Sequence, residues 1–462
     1  MALAIVLIIL IIGSVAFHVW SPWYLTELAS NWDTIDYTID ITFWVTGFVF
    51  VAVNAFMAWA VIRYRYKKDR RADYEPENKK LEWWLTGLTT VGVVAMLAPG
   101  LFVWGEFVQV PEDAWEMEVV GQQWHWTYRF PGEDGKLGTS KVTLITEENP
   151  LGVNPDDPNG LDDKIIYDPV VHIPRGRPMK ALLRAKDVLH NFTVPQFRVK
   201  MDLVPGLVSY VWLTPEKNGT YDILCEELCG VGHYTMRGRI TVQDQADFDA
   251  WLAKQPTFAE TQARGHGDPV AGQTAYAVCA ACHGMQGEGN PMMNGPKLTG
   301  QSTWYLRRQI DAYKRGHRGT HPDDVYGRQM APMVATLVNQ QAVDNVVAYI
   351  RSLPDVPAQP TVTGDLEHGE ELYEGCVLCH GADGMGKHAT NAPRYVGMSD
   401  WYLVRQLKNF QTGVRGSHPE DKYGEQMGFM SKQLYGDESI NDVVAYINSL
   451  PGPGAAVTTA AR

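Results

Sequence analysis

The stretch that organises this chain runs Cys225-Glu-Glu-Leu-Cys229-Gly-Val-Gly-His233-Tyr-Thr-Met236. It places two thiols, an imidazole and a thioether within twelve residues. Thiolate, thioether and imidazole ligands together favour copper among the common biological metals. The ligands are too closely spaced for a zinc finger, whose two ligand pairs flank a longer loop. A further donor must come from elsewhere, and His190 is the best candidate. The alternative to a metal site is a cysteine-rich turn or a disulfide.

The pattern Cys-x-Glu-x-Cys-x-x-x-His-x-x-Met with an upstream histidine resembles the dinuclear copper A site of cytochrome oxidase subunit II. The resemblance implies a cupredoxin β-sandwich with two copper ions bridged by both sulfurs. It also implies that the side chain of Glu227 binds magnesium at the contact with oxidase subunit I, which suits the oxygen preference of that ion. Carried over by position, the copper ligands are His190, Cys225, Glu227 (through its backbone carbonyl), Cys229, His233 and Met236.

Length, charge and cysteine usage limit the number of domains, the class of partner and the possible disulfides. A chain of 462 residues predicts about three domains. Its net charge of −13 argues against a nucleic-acid partner and favours solubility or a basic protein partner. The 6 cysteines form three close pairs, each inside a metal-type motif, so none remains for a structural disulfide.

Three apolar segments predict a membrane anchor over residues 1–108. The predicted spans are 2–20, 41–62 and 83–105, each long enough to cross roughly 30 Å of hydrocarbon. Residues 63–80 carry eight Lys or Arg and residues 21–40 carry none. The positive-inside rule therefore places 63–80 in the cytoplasm and everything after the third span on the periplasmic side of a bacterial inner membrane.

The first apolar segment has two interpretations. Ser14-Val-Ala16 would suit a signal-peptide cleavage site, which would remove residues 1–16. No basic segment precedes the apolar run, however, and a signal peptide normally has one. A retained first span is therefore favoured.

Short alternating segments between residues 109 and 243 predict a β-domain. Their spacing is typical of an antiparallel β-sandwich. The candidate strands cover 116–120, 141–145, 179–184, 207–213 and 239–242.

An aromatic run, Gly121-Gln-Gln-Trp-His-Trp-Thr-Tyr128, lies at the start of this domain. Taken alone, such a run is typical of core packing. It also resembles the Gln-Trp-aromatic-Trp motif of the oxidase family, which implies that Trp124 passes electrons into copper. The family usually has tyrosine where this chain has His125.

The C-terminal part is a tandem duplication. Cys279-Ala-Ala-Cys282-His283 recurs as Cys376-Val-Leu-Cys379-His380 at an offset of 97 residues. Cys-x-x-Cys-His is the attachment motif of c-type haem, whereas a thioredoxin-like pair lacks the histidine. Each copy ends in a segment that resembles the last helix of class I cytochromes c. The sequence thus predicts two covalent haems in two all-α domains.

The distal iron ligand is a methionine in this interpretation, since a thioether raises the haem potential. Resemblance to dihaem cytochromes implies Met330 and Met427. Met333 and Met430 remain the alternatives.

The whole chain resembles subunit II of a caa3-type cytochrome oxidase that carries two haems c. Its fold class would be a multidomain membrane protein. The resemblance implies electron transfer from cytochrome c or another periplasmic donor, through the haems and copper A, to subunit I, with subunit III as a further partner. Oxygen reduction and proton translocation would then occur in the partner subunit. The alternatives are the electron-accepting subunit of a copper A-type nitric oxide reductase and a free-standing membrane electron carrier. The expected domains are the anchor (1–108), copper domain (109–243), linker (244–268) and cytochrome domains (269–354 and 366–452).

Overall fold

The computed structural model describes residues 1–21, 25–71, 76–263 and 267–452, so residues 72–75 of the basic loop lie outside the description. Three long helices come first: α1 (Ala2–Trp20), α2 (Asp33–Arg63) and α3 (Lys79–Val108). All three are long and apolar enough to cross a membrane. Most of their apolar side chains are exposed, and an apolar surface of this kind suits the hydrocarbon of a bilayer.

Trp32, just before α2, contacts the domain that follows the helices. Its buried indole donates from Nε1 to the carbonyl of Trp212 at 3.1 Å. Trp212 donates in turn to the carbonyl of Glu106, near the end of α3, also at 3.1 Å. Arg198 forms a bidentate pair with Asp36, in the first turn of α2, at 2.6 and 2.9 Å. These contacts fix the domain at one end of the helical hairpin.

Two five-stranded sheets pack face to face around one apolar core. The strands are β1 (Trp115–Gln122), β2 (His125–Phe130), β3 (Lys164–Ile166), β4 (Val170–Pro174), β5 (Met179–Ala185), β6 (His190–Val194), β7 (Val199–Leu203), β8 (Ser209–Leu213), β9 (Gly219–Leu224) and β10 (Arg237–Gln243). The first sheet has the order β3-β2-β1-β5-β8 and the second β4-β10-β9-β6-β7.

The sheets are mixed, and the expectation of an antiparallel sandwich was wrong in this respect. β1 pairs in parallel with β5, and β10 pairs in parallel with β4. Parallel neighbours need a long connection. The connection from β1 to β5 passes through β2 and an excursion over residues 131–178, and the connection from β4 to β10 passes through β5 to β9.

The predicted strand at 141–145 was also wrong. It lies in this excursion, where Val142–Leu144 form a 3-10 turn and Val142 is 83% exposed, so its apolar alternation has no sheet to join. A short helix, α4 (Pro158–Leu161), follows in the same excursion.

Two helices, α5 (Gln245–Ala253) and α6 (Phe258–Ala263), occupy most of the expected linker. Phe248 of α5 is buried in the sandwich core, and Phe258 of α6 is buried in an adjoining cluster. Lys164 of β3 donates to the carbonyls of Leu252 and Gln255 at 2.9 and 3.0 Å. Both helices therefore pack as part of the copper domain. Residues 264–266 lie outside the description.

Two four-helix domains follow. The first contains α7 (Pro269–His283), α8 (Thr303–Lys314), α9 (Val325–Ala335) and α10 (Gln340–Ser352). The second contains α11 (Leu366–His380), α12 (Asp400–Thr412), α13 (Lys422–Ser431) and α14 (Gly436–Ser449). The order of apolar helices, β-sandwich and two helical domains confirms the predicted fold class.

Glycine permits the first and last helices of each copy to cross closely. A Cβ on Gly272 of α7 would lie 1.9 Å from the carbonyl oxygen of Asn345 in α10. A Cβ on Gly369 of α11 would lie 2.2 Å from the carbonyl oxygen of Asp442 in α14. These two crossings bring the Cys-x-x-Cys-His helix of each copy against its last helix.

Candidate copper and haem sites

The candidate copper ligands converge on two buried sulfurs. Cys225 Sγ and Cys229 Sγ lie 3.7 Å apart. His190 Nδ1 is 4.0 Å from the first sulfur, and His233 Nδ1 is 3.5 Å from the second. The thioether sulfur of Met236 lies 3.8 Å from Cys229 Sγ. Two thiols, each with an imidazole nitrogen beside it, fit a bridged pair of copper ions better than a single tetrahedral ion.

Different elements supply these side chains. His190 begins β6, whereas Cys225 directly follows β9 and the other three occupy the loop before β10. Asp187, which sequence reasoning missed, accepts a hydrogen bond from His190 Nε2 at 2.8 Å. This bond orients the ring and leaves Nδ1 for a metal, as a carboxylate beside a ligating histidine usually does. The spacing Asp-x-x-His is visible in the sequence and could have indicated this pair of side chains.

The two thiols share one favoured negative charge. The thiol of Cys229, beside Cys225, lowers the pKa of Cys225 to about 3. The same pairing and burial raise the pKa of Cys229 above its ordinary value. A thiolate therefore forms readily at one sulfur, and a metal that takes both must displace the second proton.

Trp124 lies against residues 225–236, the segment between β9 and β10, which we call the copper-ligand loop. Its indole Nε1 donates to the carbonyl of Cys229 at 3.0 Å, and Gln123 Nε2 donates to the same oxygen at 2.8 Å. A Cβ on Gly232 would lie 2.5 Å from ring atom Cδ2 of Trp124, so the loop needs glycine there. Trp124 is only 3% exposed. The structure thus brings this residue into direct contact with the candidate ligands.

Glu227 offers two kinds of oxygen. Its backbone carbonyl lies 3.3 Å from Cys225 Sγ, within the copper cluster. Its side chain is half-buried. The adjacent Glu226 pairs with Lys200 at 2.8 Å, which leaves the two carboxylates in different surroundings.

Each Cys-x-x-Cys-His motif ends a helix, and its histidine is buried. His283 Nδ1 donates to the carbonyl of Pro296 at 2.7 Å, and His380 Nδ1 donates to that of Pro393 at 2.8 Å. Burial lowers the pKa of His283 and lowers that of His380 to about 4. Both imidazoles are therefore neutral at pH 7, with Nε2 available to bind iron.

Both motifs open onto a cavity of about 1060 Å³. All four candidate methionines line it, so the cavity alone does not choose between them. Met330 packs against the core of the first domain, whereas Met333 is 41% exposed. Met430 Sδ lies 3.7 Å from Gln433 Nε2. These surroundings favour Met330 and, by the repeat, Met427.

Arg318, which is buried, and Arg415, which is half-buried, meet between the helical domains, and sequence reasoning missed both. Arg318 donates to Gln309 at 2.5 Å, and Arg415 donates to the same side chain at 2.9 Å. The Nε atoms of both arginines are buried without a hydrogen-bond partner among the described residues. Both residues line the cavity. Buried N–H groups of this kind suit a carboxylate-bearing cofactor such as haem.

Comparison with known proteins agrees with this architecture. Residues 116–244 match the family model described as cytochrome c oxidase subunit II, periplasmic domain. Residues 269–354 and 366–451 each match the cytochrome c family model. The first family implies copper A and the second implies haem c.

Three relatives extend the match. The alternative cytochrome c oxidase subunit 2 of Bradyrhizobium diazoefficiens is 57% identical over 264 residues, covering 57% of this chain and 95% of the relative. Cytochrome c oxidase subunit 2 of Cereibacter sphaeroides is 27% identical over 224 residues, covering 45% of this chain and 74% of the relative. Cytochrome c4 of Stutzerimonas stutzeri is 33% identical over 166 residues, covering 33% of this chain and 77% of the relative. The chain therefore belongs to the cytochrome c oxidase subunit II family, and it is an electron-transfer subunit of a terminal oxidase with cytochrome c domains joined to its copper domain.

Proposed function

We propose that this subunit carries electrons from a periplasmic donor, through two covalent haems c and dinuclear copper A, to oxidase subunit I. One observation carries the proposal. The copper-ligand loop at Gly232, the Trp124 indole and both Cys-x-x-Cys-His helices border the same cavity. A chain that holds its redox groups around one cavity can pass electrons between them without releasing a carrier.

Each candidate copper ligand would have its own role. Bound copper would supply a one-electron carrier favoured by soft ligands. Cys225 and Cys229 would bridge the two ions, and the Nδ1 atoms of His190 and His233 would each bind one of them. Met236 and the Glu227 carbonyl would complete the set. Because Asp187 already holds His190 in place, the site would need little rearrangement when its charge changes.

The haem sites follow the repeat. Bound haem c would supply the second kind of one-electron carrier. The cysteines would bind the haem edge as thioethers, and the histidine Nε2 and the methionine sulfur would bind iron. Arg318 and Arg415 would pair with haem carboxylates between the two domains. The assigned residues are Cys279, Cys282, His283 and Met330 for the first haem, and Cys376, Cys379, His380 and Met427 for the second.

The anchor and the partners complete the proposal. α1 to α3 would span the bacterial inner membrane, with the copper and cytochrome domains in the periplasm. Subunits I and III would lie beside these helices, and the Glu227 side chain would bind magnesium where subunit I meets the copper domain. Oxygen reduction and proton translocation would occur in subunit I. The domain limits stay as predicted, except that α5 and α6 would belong to the copper domain.

The test uses the purified complex that contains this chain. Intact mass and haem-stained denaturing gels should show two haems on this chain, and near-infrared absorption and electron paramagnetic resonance should show dinuclear copper. Stopped-flow mixing with a reduced cytochrome c should then reduce the c haems and copper before oxygen is consumed. One haem, absent dinuclear copper, or oxygen uptake without reduction of these centres would overturn the proposal.

A further inference from the structure

We infer that the second cytochrome domain (residues 366–452), and not the first, delivers electrons to the copper site, with Gln426 as the positioning residue. This inference rests on the proposed function and adds the order of the two haems to it. Because the two copies carry the same haem motif, their order along the electron path must be found in the packing of the domains.

The second cytochrome domain covers the copper-ligand loop and Trp124. Its helix α13 packs against the 3-10 turn His233–Thr235, which carries a candidate copper ligand. Phe429 of α13 packs against Tyr234 of that turn in a tilted arrangement, with ring centroids 5.8 Å apart. Cys379, one of the haem-attachment residues, packs against the core cluster that includes both copper cysteines.

The neighbours of Trp124 make polar contacts with the same domain. Asn391 Nδ2 lies 3.1 Å from His125 Nδ1. The side chain of Gln122 donates to the carbonyl of Ala389. These bonds hold the end of β1 and the start of β2 against the loop that follows the second haem motif.

The first cytochrome domain contacts the copper domain at a different place. Arg315 pairs with Asp168 at 2.8 Å, on the connection between β3 and β4. That connection contains none of the candidate copper ligands. The arginine is half-exposed, so the pair adds little binding energy.

Gln426 completes a bonded path between the two sites. Its Nε2 donates to the carbonyl of Trp124 at 2.5 Å. The Trp124 indole donates to the carbonyl of Cys229 at 3.0 Å. Gln426 also precedes Met427, the proposed iron ligand, in the chain. Electrons tunnel more readily through covalent and hydrogen bonds than across a gap, so this path favours transfer from the second haem.

The electron balance is simple. One electron would pass from the haem held by Cys376 and Cys379 to the copper held by Cys225 and Cys229. The haem iron would lose one electron and the copper pair would gain it, so the transfer balances. No covalent bond forms or breaks, and no proton is required.

The duplication provides a matched control. Gln329 occupies the position equivalent to Gln426, 97 residues earlier. Its side chain is exposed, whereas that of Gln426 is half-buried against the copper domain. Gln329→Leu and Gln426→Leu are therefore the same chemical change at equivalent positions, but only Gln426→Leu removes the bond to Trp124.

The experiment measures electron transfer from c haem to copper in the assembled oxidase after a pulse of photoreduction. Gln426→Leu should slow this step roughly fivefold. The reason is that losing one net hydrogen bond of about 1 kcal/mol lowers the docked population by about that factor. Gln329→Leu should leave it unchanged, and both variants should keep the c-haem bands and the copper spectrum. If Gln426→Leu loses haem, Gln426→Glu retains the side-chain length and removes the N–H donor, and the same slowing is expected.

Equal rates in the two variants, or slowing by Gln329→Leu alone, would overturn the inference. The proposed function fails separately, because it requires both haems and dinuclear copper in the unaltered chain. If those centres are present and the two glutamine variants behave alike, only the order of the haems is wrong.

Discussion

The indole N–H of Trp124 donates a hydrogen bond of 3.0 Å to the backbone carbonyl of Cys229. This bond joins the aromatic run at the start of the sandwich to the copper-ligand loop, more than 100 residues later in the chain. The opposite side of the Trp124 segment contacts the second cytochrome domain through Gln426. Trp124 therefore occupies the boundary between the two kinds of redox site.

Trp124→Phe should slow electron transfer between copper and its redox partners while the copper spectrum stays nearly unchanged. The substitution removes the N–H donor but keeps an aromatic ring against Gly232, and the lost bond should cost roughly 0.5–1.5 kcal/mol of stability. Flash-induced kinetics together with thermal unfolding would measure both effects. Unaltered transfer rates into and out of copper would show that Trp124 only packs.

Cys229→Ser should abolish the dinuclear copper signals and leave the c-haem bands intact. The reason is that a serine hydroxyl cannot replace a thiolate that contacts Cys225, His233 and Met236. Near-infrared absorption and electron paramagnetic resonance are the measurements. Thr235→Ala is the control in the same loop, and it should keep copper. A full copper signal in Cys229→Ser would refute the ligand assignment.

A chain ending after Ala263 should oxidise the physiological donor much more slowly than the full-length subunit. The tethered cytochrome domains are present at an effective concentration near roughly millimolar, so a diffusing donor seldom reaches copper directly. The cut follows α6 because α5 and α6 complete the core of the copper domain. Steady-state donor oxidation in the assembled oxidase is the measurement. A truncated complex as fast as the complete one would mean that the haem domains are not the entry route.

Gly369→Ala should destabilise the second cytochrome domain by about 1–3 kcal/mol, because the new methyl group overlaps the carbonyl oxygen of Asp442. Gly375→Ala in the same helix is the matched control. Its Cβ would lie 3.9 Å from the amide oxygen of Gln433, an ordinary van der Waals distance, and alanine favours a helix by roughly 1 kcal/mol over glycine. Thermal loss of the c-haem band should therefore shift down for the first variant and not for the second.

Acidification should loosen the contact between the copper domain and the second cytochrome domain. Burial, with a further contribution from Lys186, lowers the pKa of His125 from 6.5 to about 3. The separated domains would return this pKa toward 6.5, so the separated state takes up the proton more readily. Docking is then fully favourable above pH 6.5 and weakens as pH falls, by up to about 1.4 kcal/mol per unit.

The measurement is haem-to-copper electron transfer between pH 7.5 and 5. His125→Asn should remove most of the pH dependence, since asparagine cannot titrate. A pH profile that is the same in His125→Asn and in the unaltered chain would show that another group controls it.

The chemistry of the cofactors could be predicted from the sequence because the ligands are local. The ligands lie in short segments, so their spacing is the same however the domains are arranged. These segments are Cys225 to Met236 and the two Cys-x-x-Cys-His motifs. The apolar helices were equally predictable, since length and composition decide whether a segment suits a bilayer. The meeting of Arg318 and Arg415 needed coordinates, because the two residues lie in different copies of the repeat. Asp187 is only three residues from His190, but the spacing alone does not say which ring nitrogen its carboxylate contacts.

Only the tertiary structure decided which parallel strands pair, that α5 and α6 belong with the sandwich, and which cytochrome domain covers Trp124. Gln329 and Gln426 show the reason most clearly. The duplication gives both copies the same local sequence, so local rules treat the two glutamines alike. Their different surroundings arise from packing between distant parts of the chain, where one copy meets the copper-ligand loop and the other does not.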